Sequence, residues 1–197
     1  MVRFYYDNYD FLPDKKYLIF FRGGFCPPTR GHFSLVEKYA HMENVKYYIS
    51  QIGSEARHGV PYSLNRKIWK IYIKKLLPKD RIILKKAYSF DDVLDEIEGI
   101  DVVIFIRGKE EEDIKAKEKE RRERYENVFR RIRRRGVKVD FLIIDRPEKH
   151  VLSATKFIES LKRGDSFSKL KFFLPENLPN EECKYIIRNL KKQNLKV

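Results

Sequence analysis

Cysteine is almost missing from this 197-residue chain: Cys26 and Cys183 are the only two, far apart and in no metal-ligand spacing. A disulfide framework and a structural zinc site therefore find no support, and a reducing compartment fits best. Long hydrophobic runs are missing as well. The longest, such as DVVIFI at 101–106, fall far below the roughly 20 apolar residues that a bilayer-crossing helix needs. The opening stretch MVRFYYDNYDFLPDKK lacks the apolar centre and small-residue cleavage site of an export signal, so the expected location is the cytoplasm. Acidic residues are in deficit, with 29 Asp and Glu against 43 Lys and Arg, a formal net charge of +14. A field of that sign attracts nucleotides, nucleic acid and acidic surfaces alike. Neither GxGxxG nor GxxxxGK[ST] occurs, which removes the main support for a dinucleotide-binding oxidoreductase or a P-loop ATPase. There is no internal repeat and no Ser/Gly-rich linker, so residues 1–197 read as one domain.

What is present is material for a core: hydrophobic residues make up 42% and aromatics 14%. Nearly continuous runs of β-branched and aromatic residues recur at 17–21, 45–52, 81–84, 102–106 and 139–145, as in strands buried on both faces. Between them lie helical spacings. Phe33, Val36 and Tyr39 stand three apart, and Leu64, Ile68, Tyr72 and Leu76 stand four apart. Residues 90–98 read as a shorter helix with Asp91 and Asp92 near its start. This alternation predicts an α/β domain, a Rossmann-like doubly wound parallel sheet of about five strands over 16–145. Residues 146–197 read as helices only, at 153–162, 167–173 and 180–192. The charged segment 109–135 is expected to dock through Tyr125, Val128, Phe129 and Ile132, with its first half in solvent.

Directly after the first apolar run comes GGFCPPTRGH at 23–32. In an open parallel sheet, ligands bind beyond the carboxyl ends of strands, where loops enter helices. Gly23 and Gly24 would let backbone approach a phosphate, the helix start near Gly31 and His32 offers unpaired N–H groups, and Arg30 and His32 add donors. The residues alone describe a phosphate site.

The same ten residues resemble the G-x-F-x-P-x-[TH]-x-G-H signature of the nucleotidyltransferase superfamily, most closely that of the nicotinamide mononucleotide adenylyltransferases. Cys26 stands where that family carries Asn or Asp. A second stretch, VLSATKFIESL at 151–161, is similar to the family's ISSTxIR motif. Ser153, Thr155 and Lys156 match it, Ala154 replaces a serine, and Ile158 stands at the arginine. Weaker likenesses lie between. GSEARHGVPYSLNRK at 53–67 offers Arg57 and Arg66 as acceptor ligands, and IRGKE at 106–110 keeps Gly108 and offers Glu110, which replaces an aspartate, as a third. The resemblance spans roughly 16–174.

It implies transfer of an adenylyl group from ATP to nicotinamide mononucleotide, forming NAD and pyrophosphate without a covalent intermediate. Phosphopantetheine, flavin mononucleotide or phosphocholine-like acceptors are the related alternatives. By the same resemblance His32 binds the phosphate where charge develops, Thr29 contacts phosphate or acceptor, and Gly23, Gly24, Phe25 and Cys26 lie along the nucleotide. Arg30, Gly31 and Gly108 complete that surface, while Ser153, Thr155 and Lys156 hold the outer phosphates. Lys156, Lys162 or Arg163 would stand in for the missing arginine. Magnesium is expected to arrive on the nucleoside triphosphate, since no carboxylate cluster is dedicated to it.

Other features read as structural. Trp69 lies in a helical pattern and is assigned to the core, Cys26 to a buried thiol lining the pocket, and His41, His58 and His150 to structural or solvated positions. The basic run 130–135 is compatible with nucleic acid, and a catalytically altered, nucleic-acid-binding module is the competing reading; charge runs are more commonly solvated faces. An oligomer is compatible with the sequence.

Overall fold

A computed structural model describes residues 2–52, 57–87, 89–108, 114–145 and 152–196. Six strands form a single parallel sheet: β1 (Arg3–Tyr6), β2 (Tyr17–Gly23), β3 (Val45–Ile52), β4 (Ile82–Ala87), β5 (Val102–Gly108) and β6 (Lys138–Ile144). Their spatial order is β1-β6-β5-β2-β3-β4. From β2 the chain winds outward through β3 to β4, returns to β5 on the other side of β2, and winds outward again to β6. The reversal between β2 and β5 opens a crevice at the carboxyl ends of the two central strands. Register aligns those ends: Gly23 lies beside Gln51, and Phe21 beside Ile106.

The continuous apolar runs are explained by burial on both faces. Tyr17, Ile19 and Phe21 face a core shared with α1 (Arg30–Ala40), α2 (Tyr62–Leu76), α4 (Ala154–Arg163) and α6 (Asn180–Lys191). Leu18 and Phe20 point the other way, toward Val128, Phe129 and Ile132 of α3 (Ile114–Arg134). The second half of 109–135 thus docks as the spacing predicts. A five-residue helix, α5 (Phe167–Lys171), links α4 to α6. Among the described residues no helix is long and apolar enough to cross a membrane.

Two local expectations change. The sheet has a sixth strand, β1, because four residues of the aromatic opening pair with β6 along the sheet edge, where Phe4 stacks on Phe141 at 5.4 Å. Behind it Tyr9 donates a buried 2.6 Å hydrogen bond to Asp140, which also pairs with Lys138 at 2.8 Å. Residues Phe90–Glu96 form a 3-10 helix rather than an α-helix. Ser89 starts it by accepting from Asp91 N–H at 2.9 Å, while its own N–H donates to Asp92 at 3.1 Å.

Candidate active site

Beyond β2 the chain must turn back over the strand end, and Gly23 permits it. A Cβ there would stand 2.7 Å from the Phe25 ring, which is wedged against Phe21, Trp69 and His32 at centroid distances of 4.7, 5.4 and 5.3 Å. Gly24 differs: nothing lies within 4 Å of its Cβ direction, so its backbone faces open cleft. Phe25 holds φ 43°, a left-handed conformation that bulky residues avoid, and the Cys26–Pro27 peptide is cis.

Thr29 caps α1, with φ −112° and ψ 170°. Its backbone N–H donates to His32 Nδ1 at 3.1 Å. A backbone amide can only donate, so Nδ1 is the lone-pair nitrogen and the hydrogen of the neutral ring sits on Nε2. His32 is therefore a hydrogen-bond donor on Nε2 without having to gain a proton. The fully buried Thr29 hydroxyl donates to the Leu152 carbonyl at 2.8 Å. That bond draws the start of α1 to the start of α4, where Ser153 accepts from Lys156 N–H at 3.1 Å. Two helix amino termini consequently open on one cleft.

The cleft has a volume of about 380 Å³. Its wall contains Gly23, Gly24, Phe25, Cys26, Gly31, His32, Gly108, Ser153 and Thr155, which brings both sequence motifs together. A larger depression of about 510 Å³, around Gly99 and Arg135, lies at the amino ends of the strands, away from both motifs and from the crevice where this topology binds ligands. The charged and imidazole groups lining the first cleft are Arg22, His32, His58 and Arg107, and no Asp or Glu is among the described lining residues.

Arg22 and Arg107 were not singled out by sequence reasoning, although the signal was there. IFFRG at 19–23 and IFIRG at 104–108 repeat one pattern, an apolar strand ending in Arg-Gly. The register pairs Ile19 with Ile104 and Phe21 with Ile106, and the arginine that follows each of these pairs, Arg22 or Arg107, lines the cleft. Arg22 lies 3.8 Å from the centroid of the Phe90 ring, and Arg107 lies 5.6 Å from that of Phe141. Burial pushes the Arg22 guanidinium below its ordinary pKa, opposed by nearby Tyr125 and Asp92. Both guanidinium groups thus lie against aromatic rings, and both residues line the cleft.

Other predicted ligands lie elsewhere. The Arg30 guanidinium pairs with Glu176 at 2.7 Å and the residue's backbone N–H donates to the Phe173 carbonyl, so Arg30 ties α1 to the chain after α5 rather than lining the cleft. The Lys156 ammonium pairs with Glu159 at 3.0 Å, and Arg163 with Asp165 at 2.9 Å; neither lines the cleft. Ile158, at the family's arginine position, is wholly buried in the core. Arg66 donates to the Leu84 carbonyl and to Tyr62, in a separate depression of about 420 Å³ that it shares with Lys85, Lys86, Asp92 and Asp95. Glu110 and the side chain of Arg57 lie outside the described residues, as does His150.

Trp69 is wholly buried and touches Phe21, Phe25 and Tyr72 edge to face. Cys26 lines the cleft as a nearly buried thiol, with Asn65 Nδ2 donating to its sulfur at 3.2 Å. His58 departs from the sequence reading: it lines the cleft, with Nε2 3.5 Å from Thr155 Oγ1. Among the described residues there is no group of three or more His, Cys, Asp or Glu that could hold a metal ion.

No protein-family model matches the sequence, and no curated protein sequence does either. Solved structures do match in fold. One is a Vibrio parahaemolyticus protein provisionally described as a nicotinate-nucleotide adenylyltransferase, 16% identical, with a TM-score of 0.57 over 90% of this chain and 97% of that one. Another is the Plasmodium falciparum nicotinic acid mononucleotide adenylyltransferase. Its complex with APC matches at 14% identity and TM-score 0.60, over 92% of this chain and 100% of that one. Its complex with NaAD matches at 14% identity and TM-score 0.56, with the same coverage. At these identities the shared property is the fold.

Proposed function

We propose that the cleft transfers the adenylyl group of ATP to a pyridine mononucleotide, releasing pyrophosphate and forming a dinucleotide of the NAD type. Nicotinamide mononucleotide is the acceptor that the first motif suggests, and the nicotinate form is its acidic relative, named for the structural neighbours. The observation that carries the reading is the buried Thr29–Leu152 bond, which joins two helix amino termini, each from a nucleotidyltransferase-like motif, around a cleft whose described lining has no carboxylate.

In the reaction an acceptor phosphate oxygen bonds to the α-phosphorus, the bond from that phosphorus to the bridging oxygen breaks, and pyrophosphate carries away the electron pair. No proton transfer is needed at phosphorus, so positioning and charge stabilisation supply the catalysis. His32 donates from Nε2 to the phosphate where charge develops. Thr29, its hydroxyl committed to Leu152, sets the His32 ring instead of touching substrate. The α4 amino terminus, with Thr155, takes the outer phosphates, and Arg22 and Arg107 balance the remaining charge. The donors on the wall are hydroxyl, imidazole, guanidinium and backbone groups, so the hard oxygen ligands of a magnesium ion would come mainly from the nucleotide that carries it.

The decisive assay measures pyrophosphate release from magnesium-ATP with nicotinamide mononucleotide, nicotinate mononucleotide, phosphopantetheine and flavin mononucleotide in turn. Release with either pyridine nucleotide is the expected result, and the ratio between them gives the preferred acceptor. Release with none of the four overturns the proposal.

A further inference from the structure

After α6 the chain returns to the turn that carries His58. Lys196 N–H donates to the His58 carbonyl at 3.0 Å, and His58 Nδ1 lies 3.2 Å from the Lys196 carbonyl oxygen. The approach is tight beside this pair. A Cβ on Gly59 would stand 1.9 Å from the Asn194 carbonyl oxygen, so only glycine admits the returning segment. Leu195 packs against the larger core and anchors it there.

His58 sits at φ 62° and ψ 15°. That left-handed conformation is one that non-glycine residues disfavour. The reciprocal bonds to Lys196 hold it. In this posture the far ring nitrogen, Nε2, reaches the first turn of α4, 3.5 Å from Thr155 Oγ1, and the ring becomes part of the cleft wall.

The tail also decides which nitrogen carries hydrogen. A carbonyl can only accept, so His58 Nδ1 is the protonated nitrogen, and Nε2 of the neutral ring accepts from the Thr155 hydroxyl. This is the reverse of His32, whose Nδ1 accepts from a backbone amide. A phosphate oxygen can only accept, so the ring that meets one carries hydrogen on both nitrogens, Nδ1 facing the Lys196 carbonyl and Nε2 facing the α4 amino terminus. The charged groups sharing the wall are Arg22 and Arg107, with the His32 imidazole and the Cys26 thiol beside them. An entering anion supplies the opposite charge.

We propose that residues 194–196 act as a strap that positions His58 as a ligand for the polyphosphate at the α4 amino terminus. The proposal rests on the reading of this cleft as a nucleoside triphosphate site.

The test is calorimetric binding of magnesium-ATP to the full chain and to variants checked for folding by circular dichroism. His58→Asn keeps a residue that tolerates the left-handed turn but removes the ring. Gly59→Ala pushes the strap away and leaves the ring present. Each is expected to weaken ATP binding roughly 10- to 100-fold, the range for one lost hydrogen bond to a charged group. The double variant is expected to bind no more weakly than His58→Asn alone, because both changes act through one ring. Should Gly59→Ala fail to fold, Leu195→Ala, which loosens the anchor, takes its place in the cycle. Unchanged affinity in His58→Asn, or strap and ring effects that simply add, overturns the inference. A wild-type chain that binds no ATP overturns the triphosphate reading along with it, whereas normal wild-type binding with indifferent variants removes the strap alone.

Discussion

Thr29 and Leu152 stand 123 residues apart in the chain and are joined by a buried 2.8 Å hydrogen bond, hydroxyl to carbonyl. Through it the ends of two helices, each weakly suited to an anion, become one site. A single helix amino terminus stabilises negative charge by about 0.3–1 kcal/mol when exposed, and two that converge around a partly closed cleft reinforce one another.

Thr29→Val is therefore expected to damage both structure and chemistry. It leaves the Leu152 carbonyl buried without its donor, at a cost of about 1–3 kcal/mol in unfolding free energy. Turnover should fall further than stability alone explains, because the α1 and α4 ends lose their tie. Urea unfolding and pyrophosphate release on the same preparation check this, and Thr29→Ser should recover most of both.

For His32→Ala the expected loss is in turnover, by about 10²–10³, the scale for removing one positioned donor to developing charge. Stability should change little, since the ring is only half-buried and Thr29 keeps its own bond to Leu152. Near-normal turnover in a folded His32→Ala protein would show that Nε2 does not meet the reacting phosphate.

Arg22→Gln and Arg107→Gln test the wall that the motifs did not reveal. Each variant removes one positive charge from a cleft with no described acidic lining residue, so KM for at least one anionic substrate should rise about tenfold or more. The increase should be smaller at high salt, where the wild-type attraction is already screened. Steady-state kinetics at two ionic strengths, varying each substrate separately, also show which substrate the arginines face.

Alkaline pH should unfold the protein by a route that neutral mutations leave untouched. Burial pushes the phenols of Tyr9, Tyr39, Tyr47 and Tyr72 up, and that of Tyr48 up to about 12; Asp140 adds to the effect at Tyr9. In the unfolded chain these groups ionise near 10.0. Below that value both states hold the protons and the full stability is present. As pH rises from there through the folded values, the unfolded state releases protons first and stability is lost. Urea midpoints should be flat from about pH 8 to 9.5 and fall steeply above about 10. A flat profile to higher pH would contradict the burial of these tyrosines.

How far the site could be read in advance differs residue by residue. Thr29, His32, Ser153 and Thr155 occur in recognisable spacing, since a helix start needs particular residue types within three or four positions, and that requirement is written locally. Arg22 and Arg107 also lay in plain view as a repeated strand ending, but nothing local says that β2 and β5 are neighbours. Arg30 and Lys156 were natural candidates by position. A side chain that long has several reachable partners, and Glu176 and Glu159 engage them in the folded chain.

The sequence by itself determined the layered parallel sheet and the two helix starts. Burial on both faces demands continuous apolar runs, and capping demands its own short pattern, so both are local properties of the chain. It did not determine β1, whose four residues, two exposed and two half-buried, become a strand only because β6 offers an unpaired edge. The role of His58 likewise depends on Lys196, 138 residues away, which holds a strained turn and fixes the ring hydrogen. Contacts of that kind rest on hydrogen bonds between distant backbone groups, which carry no side-chain signature, and so only the tertiary structure decided them.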